Sequence, residues 1–273
     1  AFEKAVGKVK RTGTNDQSFE TVYHSLYADK KDDRLWKFMV SSYLEFDLGG
    51  DVSQLSSNEF YDDKEHKGAD IIVTNGYDNV TNYLAEGLDI RYNERVSKVD
   101  YTDENTILVI SASGTFEANA VIVTVPLGVL KSGNIAFSPA LKDEKKEALD
   151  DLAMGTVNKY VFVWDTTFWN TELQYIGYTT EVKGVFNSFL NMRKYSDNNA
   201  LMTFTFGKFS RTAENLSDSE ITELVMNNLK AIYGEEISNP TDMLRTKWNT
   251  DQNSFGCYSF VQQGGETNAY KVL

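Results

Sequence analysis

The chain has 273 residues, of which 41% are hydrophobic and 13% aromatic, and this composition predicts a folded globular protein. Its formal net charge is −13, from 40 acidic and 27 basic residues. Because nucleic-acid binding depends on Lys and Arg that neutralise phosphates, the charge argues against a nucleic-acid partner, whereas an acidic surface attracts cations such as small amines. No apolar run approaches the roughly 20 residues of a membrane span, so no membrane partner is expected.

The first 68 residues predict helices joined by a polar connection. Aromatic and aliphatic side chains recur at three- and four-residue steps between residues 16 and 45, as on the buried face of a helix. His24 falls in this region and is interpreted as a helix-face residue, whereas His66 lies in the polar connection and is a weak site candidate. Two histidines and one cysteine, Cys257, exclude a His-rich metal site, a multi-cysteine zinc site and an internal disulfide.

Residues 69 to 131 predict a compact α/β unit with a helix at 79–85. Its short strands are predicted at 70–74, 89–92, 95–101, 107–111, 115–118 and 121–125. The last strand lacks alternation of apolar and polar residues, so we expect both of its faces to be covered. Pro126 and Gly128 then end it, either as an ordinary exit from a core strand or as a turn whose backbone lies beside a ligand.

The remainder predicts a second sheet covered by a helix. After an amphipathic helix at 142–152, strands are predicted at 158–164, 174–178, 185–190 and 201–206. Ser217 and Glu220 form a capping box before a helix that we expect to pack over this sheet. The apolar stripe of that helix consists of Ile221, Leu224, Val225, Leu229 and Ile232.

Signals for cellular targeting are weak in this sequence. The tripeptides at Asn79 and Asn215 fit the N-glycosylation pattern and would suit a secreted protein, but such tripeptides are common by chance. No charged-then-apolar signal segment opens the chain, so we interpret its start at Ala1 as mid-protein or mature sequence. The compartment is left open.

Two segments carry candidate site residues. Lys159 shares a strand face with Val161 and Val163, so its amine either extends to water from an edge or faces a cofactor or reacting group. Between Trp248 and Ser259, small residues bracket large aromatic ones, a pattern that suits core packing or a wall on which a flat ring stacks. The glycines form no phosphate-binding loop of either standard spacing.

Several segments, in this order, resemble flavin-containing amine oxidases of the polyamine oxidase type, which include the lysine-specific histone demethylases. They are Gly76-Tyr77, Gly87–Ile90 with Val96, Val121–Lys131, Ile135–Pro139, Met154–Lys159, Phe168-Trp169, and Trp248 with Asp251, Gly256, Tyr258 and Ser259. The resemblance covers residues 38 to 273.

The resemblance implies an α/β (α+β) fold in which a partial FAD-binding domain of the dinucleotide type is interleaved with a substrate domain of mixed sheet and helices. Residues 1–68 would be the first segment of the substrate domain, and 69–131 the middle segment of the FAD domain. Residues 132–250 would continue the substrate domain, and 251–273 would begin the return to the FAD domain.

The resemblance also implies residue roles and a reaction. Val96 would present its backbone to the adenine of non-covalently bound FAD, Lys159 would hold a water near the flavin as the catalytic residue, and Trp248 and Tyr258 would line the flavin and the amine. The expected reaction is oxidation of an amine with reduction of oxygen to hydrogen peroxide. A polyamine such as spermine or spermidine is the first choice of substrate, a histone-tail lysine the second and an aromatic monoamine the third.

The sequence departs from the family pattern at both ends. The family's glycine-rich βαβ unit, its acidic ribose ligand and its second glycine-rich flavin segment have no counterpart here. We therefore expect these 273 residues alone to bind FAD weakly or not at all, and to be incomplete for activity. Three explanations are open: a fragment of a longer oxidase, a truncated non-catalytic relative that acts as a binding or scaffolding module, or a split enzyme completed by the missing FAD-binding segments on another chain.

Overall fold

The computed structural model describes residues 1–12, 16–60, 67–69 and 71–273, which form helices and three β-sheets. The α-helices are α1 (Phe2–Thr12), α2 (Phe19–Leu26), α3 (Arg34–Met39), α4 (Phe46–Leu48), α5 (Asp78–Ala85), α6 (Leu127–Ser132), α7 (Asp143–Asp151), α8 (Gly207–Ala213), α9 (Asp218–Tyr233) and α10 (Ala269–Val272). A π-helical segment, Val40–Glu45, joins α3 to α4, and short 3-10 turns lie at Ala28–Lys30 and Met192–Lys194. Among the described residues, none of the helices has the length and apolar character needed to cross a membrane.

The strands belong to a four-stranded sheet, a five-stranded sheet and one isolated pair. They are β1 (Val96–Asp100), β2 (Ile107–Ser111), β3 (Thr115–Ala118), β4 (Ala136–Ser138), β5 (Leu152–Met154), β6 (Val157–Val163), β7 (Tyr175–Gly177), β8 (Ser188–Asn191), β9 (Ala200–Phe206), β10 (Asp242–Arg245) and β11 (Ser259–Val261). The strand orders are β3-β2-β1-β4, β10-β6-β9-β8-β7 and β11-β5. All pairings are antiparallel except that of β1 with β4, which is parallel.

The five-stranded sheet carries the largest core. Strand β6 pairs with β9 along its whole length, and its fully buried Tyr160 and Phe162 pack toward α9. The predicted stripe of α9 supplies the opposite side of this core, as expected for an amphipathic helix on a sheet. Strand β8 begins at Ser188, three residues later than predicted, because Gly184 and Phe186 just before it have positive φ angles of 75° and 48°.

The N-terminal helical region is divided by two side-chain caps. Helix α2 begins after Ser18, whose Oγ accepts a hydrogen bond from the Thr21 N–H at 3.2 Å. Helix α3 begins after Asp33, whose Oδ1 accepts from the Leu35 N–H at 2.9 Å. Each cap satisfies a free N–H at a helix start, so the helical region predicted between residues 16 and 45 is confirmed in several pieces. The buried residues of this region share one hydrophobic core with residues from elsewhere in the chain. The buried members of this core are Val9, Phe19, Val22, Tyr23, Val40, Leu44, Val52, Leu55, Phe60 and Phe260.

The two histidines have different outcomes. His24 is half-buried on α2, with its ring 5.7 Å from that of Tyr23, in agreement with its interpretation as a helix-face residue. His66 lies outside the described residues, so its assignment stays a prediction.

Three strands predicted for the middle segment do not form. Residues 71–74, 89–92 and Val121–Val125 are unpaired, and Ile122 is 89% exposed. Asp70, the first residue of the predicted strand at 70–74, lies outside the described residues. The apolar composition suits a covered strand, but a strand also needs a neighbour that takes up its backbone hydrogen bonds, and no described residue does so here. The prediction that Val121–Val125 is a strand covered on both faces is therefore wrong for this structure.

The exit after this segment also differs from expectation. Pro126 is followed by the short helix α6, and Gly128 within it is buried. A Cβ at Gly128 would lie 2.2 Å from the carbonyl oxygen of Ser254 and 2.6 Å from that of Phe255. The close approach predicted at this glycine is real, but it brings together two parts of the protein backbone.

The capping box of α9 provides a test of this fold. The Ser217 Oγ accepts from the Glu220 N–H at 3.2 Å, and the Glu220 carboxylate accepts from the Ser217 N–H at 2.8 Å. We expect Ser217→Ala to lower the free energy of unfolding by about 1 kcal/mol, because a free N–H loses its partner. Denaturant unfolding measures the change, and Ser219→Ala in the same helical turn is the control. Equal stabilities of the two variants would contradict this role of the cap.

Candidate active site

Lys159 lies on the face of β6 opposite the α9 core. Its cross-strand partner in β9 is Phe204, and its N–H donates to Thr246 Oγ1 at 2.9 Å. The side chain is exposed, and the structure records no ion pair for its ammonium group among the residues it describes. A rigid strand therefore presents a cation at the surface of a largely apolar sheet face, where Val157, Phe204 and Phe206 are buried.

Close backbone packing beside β6 fixes the position of Tyr258. The Gly155 N–H donates to the Tyr258 carbonyl at 2.7 Å, and the Cys257 N–H donates to the Gly155 carbonyl at 2.9 Å. The Gly155 Cα faces Gly49, and a Cβ on it would lie 2.0 Å from the Gly49 oxygen. Tyr258 has a φ of 61°, which non-glycine residues adopt only under such constraint, and the residue is 53% exposed.

Trp248 belongs to the loop that follows β10. Its N–H donates to the buried Asn158 Oδ1 at 3.1 Å, and its carbonyl accepts from the Gly256 N–H at 2.7 Å. Both backbone groups of Trp248 are bonded to the protein, and the residue as a whole is 38% exposed. The structure therefore brings the backbone groups of Lys159, Trp248 and Tyr258 into one hydrogen-bond network, which includes the side chains of Asn158 and Thr246.

A large cavity extends along this sheet face. It has a volume of about 1130 Å³ and lies between α1, the α3–α4 region, and strands β7, β8 and β9. Phe46 closes one side, with its ring 5.1 Å from that of Phe204 and 5.3 Å from that of Phe206. Other aromatic residues that line the cavity are Phe2, Phe38, Tyr43, Phe60 and Tyr175.

A second cavity, of about 590 Å³, adjoins the first. The two share Asp47 and Phe60, and Tyr258 lines the second. Asp47 is exposed on α4, and no hydrogen bond or ion pair is recorded for its carboxylate within the described part of the chain. Within the described residues this carboxylate has no ion pair, and between aromatic walls it can accept the ammonium group of a ligand.

Burial keeps the pKa values of the Cys257 thiol and the Tyr258 phenol above their ordinary values. Burial raises the pKa of the Cys257 thiol, and the negative charge of Glu214 adds to this increase. A hydrogen bond with the backbone of Val157 and the positive charge of Lys159 lower the same pKa, but by less. Burial also raises the pKa of the Tyr258 phenol, with a smaller contribution from Cys257. Neither group has the lowered pKa of a nucleophile or general base, so these residues suit binding and orientation of a ligand.

Val96 lies in the other sheet, at the start of β1. It is half-buried and pairs with Ser111 in β2 next to a bulge. Its neighbour Arg95 donates to Asn253 Oδ1 at 3.4 Å, so the start of β1 lies near the loop that follows Trp248. The structure thus leaves Val96 outside the group formed by the other three predicted residues.

Sequence reasoning missed Asp47, Asn158 and Glu214. Alternation along β6 places Asn158 opposite Lys159, and this could have identified it as a buried polar residue in need of partners. No sequence signal indicates that Glu214, at the end of α8, meets Asn158, or that Asp47 lines a cavity.

Comparison with known proteins supplies the family. Residues 8–273 match the model of the flavin containing amine oxidoreductases. The chain belongs to this family, as its motifs predicted, and a flavin is the family's cofactor. It is 38% identical over 233 residues to polyamine oxidase 4 of Oryza sativa subsp. japonica, and the aligned region covers 84% of this chain and 46% of that protein. It is 31% identical over 245 residues to lysine-specific histone demethylase 2 of Homo sapiens, and the aligned region covers 85% of this chain and 29% of that protein.

Solved structures confirm the predicted fold class of mixed helices and sheets. A variant of putrescine oxidase superposes with a TM-score of 0.72 at 17% sequence identity, over 96% of this chain and 62% of the other. At this identity the likeness concerns the fold alone. The chain spans about half the length of the polyamine oxidases that it matches.

The packing at Gly155 generates a stability prediction. We expect Gly155→Ala to lower the free energy of unfolding by about 1–3 kcal/mol, because the new methyl group would overlap the Gly49 carbonyl. Gly7→Ala is the control, since its nearest neighbour would lie 3.9 Å away and alanine favours the α1 helix. Thermal unfolding compares the two variants. A Gly155→Ala protein as stable as Gly7→Ala would show that the contact does not constrain the site.

Proposed function

We propose that this chain contributes the amine-binding side of a flavin-dependent oxidase that acts on polyamines and releases hydrogen peroxide. The observation that carries the proposal is that exposed Lys159, Trp248 and Tyr258 are held by one network of hydrogen bonds, and that Tyr258 lines a cavity adjoining a larger one with aromatic walls. Membership of the flavin containing amine oxidoreductases supports it independently.

The residues around Lys159 fit a bound FAD. Trp248 and Tyr258 present partly exposed aromatic rings on constrained backbone, and such rings stack on a flat heterocycle. When bound, the flavin supplies the acceptor for the hydride equivalent removed from the amine. The chain's own part is to orient the neutral amine against the aromatic wall and, through Lys159, to hold a water beside the flavin. Val96 is proposed to present its backbone to the adenine.

The domain assignment is part of the same proposal. Residues 1–68 and 132–250 would build the substrate domain, and 69–131 with 251–273 would belong to the FAD domain. Exposed, unpaired apolar segments such as Val121–Val125 support this assignment, because they have the composition of strands that await neighbours. Since the chain spans about half of its relatives, we propose that additional family segments complete the FAD domain and permit tight FAD binding.

A polyamine substrate is supported by charge in the cavity. The aromatic lining can contact the methylene groups of the substrate, and Asp47 can pair with an ammonium group distant from the bond that is oxidised. The net charge of −13 favours approach of a polycation. Relatives named polyamine oxidase are consistent with this choice.

Lys159→Met tests the proposed role of the ammonium. In the flavin-loaded protein we expect reoxidation by oxygen to slow by roughly tenfold or more, because the residue that orients a proton-donating water is lost. Reduction by amine should change much less. Stopped-flow absorbance of the flavin measures the two half-reactions separately.

Lys247→Met is the matched control, because Lys247 is exposed and lies next to Trp248 but outside the sheet face of Lys159. Its reoxidation rate should equal that of the unaltered protein. Unchanged reoxidation in Lys159→Met would refute the proposed role of this lysine.

Asp47→Asn tests the choice of substrate. We expect kcat/KM for spermidine to fall by about tenfold, because a charged hydrogen-bond partner contributes roughly 1.5 kcal/mol. A monoamine of similar length has no second ammonium and should be affected less than about twofold. Peroxide release, measured with both substrates, gives the ratio.

Asp165→Asn controls for the loss of one negative charge, since Asp165 is exposed and outside the cavities. A methylated lysine peptide completes the substrate panel, because some relatives are named as histone demethylases. Preference for that peptide over spermidine would favour the alternative oxidase function, and equal effects of Asp47→Asn on both amines would remove Asp47 from substrate recognition.

A further inference from the structure

We propose that Glu214 and Asn158 are positioning residues that hold the loop of Trp248 against the strand of Lys159. Neither side chain lines the large cavity, and both are buried, with Glu214 only 3% exposed. The kinetic consequence of this inference rests on the proposed amine oxidase function. The structural consequence does not.

Glu214 is a buried carboxylate whose partners are all neutral N–H donors. Its Oε1 accepts from Asn158 Nδ2 at 2.8 Å and from the Asn249 N–H at 2.8 Å, and its Oε2 accepts from the Thr250 N–H at 2.9 Å. Within the described part of the chain it forms no ion pair. A buried charge is costly without donors, so the carboxylate favours the loop conformation that directs these two N–H groups inward.

Asn158 connects this carboxylate to the other end of the loop. Its Nδ2 donates to Glu214 and to Ser210 Oγ at 3.0 Å, while its Oδ1 accepts from the Trp248 N–H at 3.1 Å and from Thr246 Oγ1 at 3.0 Å. The reverse amide orientation would place an oxygen against the carboxylate and an NH₂ group against the Trp248 N–H. Only one orientation of the side chain therefore satisfies its neighbours.

Thr246 brings Lys159 into the same network. The Thr246 Oγ1 accepts from the Lys159 N–H at 2.9 Å while it donates to Asn158, and the Thr246 N–H donates to the Lys159 carbonyl at 3.0 Å. Backbone groups of Lys159 and Trp248 are thus linked through the side chains of buried Asn158 and half-buried Thr246. Because Asn249 and Thr250 are fixed directly after Trp248, the loop has little freedom to move relative to the backbone of Lys159.

Glu214→Gln tests the inference by local hydrogen exchange. Glutamine offers one acceptor oxygen and one NH₂ group, so one inward N–H of the loop faces a donor. We expect the amide hydrogens of Asn249 and Thr250 to exchange about tenfold faster, with amides in the α9 core unchanged. Glu223→Gln, on the exposed side of α9, is the control and should leave both regions unchanged.

The flavin-loaded protein provides a kinetic measurement. A displaced Trp248 should raise the KM for amine by about tenfold in Glu214→Gln, since small misplacements of an orienting group are costly. The rate of flavin reoxidation should stay within about twofold, because Lys159 is held mainly by the sheet. If the flavin-loaded, unaltered protein oxidises no amine, the proposed function fails. The hydrogen-exchange result still decides the positioning role in that case.

A pair of substitutions tests the contact itself. Asn158→Asp places two carboxylates together and should accelerate exchange at residues 248–250 strongly. Adding Glu214→Gln to it restores an amide–carboxylate contact of reversed polarity, so the double variant should exchange more slowly than Asn158→Asp alone. If Glu214→Gln does not fold, Thr246→Val, which removes only the bridging hydroxyl, should give a smaller change of the same kind.

Three results would overturn the inference. They are unchanged exchange at Asn249 and Thr250 in Glu214→Gln, exchange that accelerates equally throughout the chain, and a double variant no better than Asn158→Asp. The last two would assign these side chains to general stability, without a specific effect on the loop of Trp248.

Discussion

Direct packing of backbone on backbone at Gly155 is the constraint on which the site depends. Three distant segments meet there: the end of α4 at Gly49, the connection from β5 to β6, and the segment before β11 that contains Tyr258. Two residues beyond Gly155, the Val157 N–H donates to Cys257 Sγ at 3.0 Å, and Lys159 follows on the same strand face. Tyr258 is therefore placed by contacts of main-chain atoms, which surface substitutions disturb little.

This junction also explains why an unfavourable conformation persists at Tyr258. A φ of 61° costs a non-glycine residue roughly 1–2 kcal/mol. The pairing of β11 with β5 fixes the residue on one side, and the hydrogen bond from Gly155 fixes its carbonyl. Tyr258 is consequently directed to the rim of a cavity and not into the core. The strain is compensated by pairing that extends beyond the residue itself.

The parts that sequence predicted well are those determined by nearby residues. The alternation within β6 and the capping box at Ser217 depend on neighbours a few positions away, and both appear in the structure. Val121–Val125 has an equally strong apolar signal, yet strand formation depends on a partner that lies elsewhere in sequence. Local composition indicates which segments can become strands, whereas the available neighbours determine which of them do.

The polar residues of the site illustrate the same limit more sharply. Glu214 meets Asn158 across 56 positions, and Asn158 meets Trp248 across 90, so no short motif contains the network. Lys159 could be proposed because alternation along its strand showed which face it shares with Val161 and Val163. Trp248 and Tyr258 could be proposed because the family motif included them. Asp47 and Glu214 became visible only when distant segments were placed together.

The four-stranded and five-stranded sheets differ in how far other residues of this chain cover their faces. The five-stranded sheet has one face covered by α9 and the other by aromatic residues around a cavity. In the four-stranded sheet, Val99 is the one strand residue that is buried. The surface proposed to face the amine is thus organised by contacts within these residues. A site built in this way can hold its aromatic wall and its carboxylate ready, so that binding energy is not spent on ordering them.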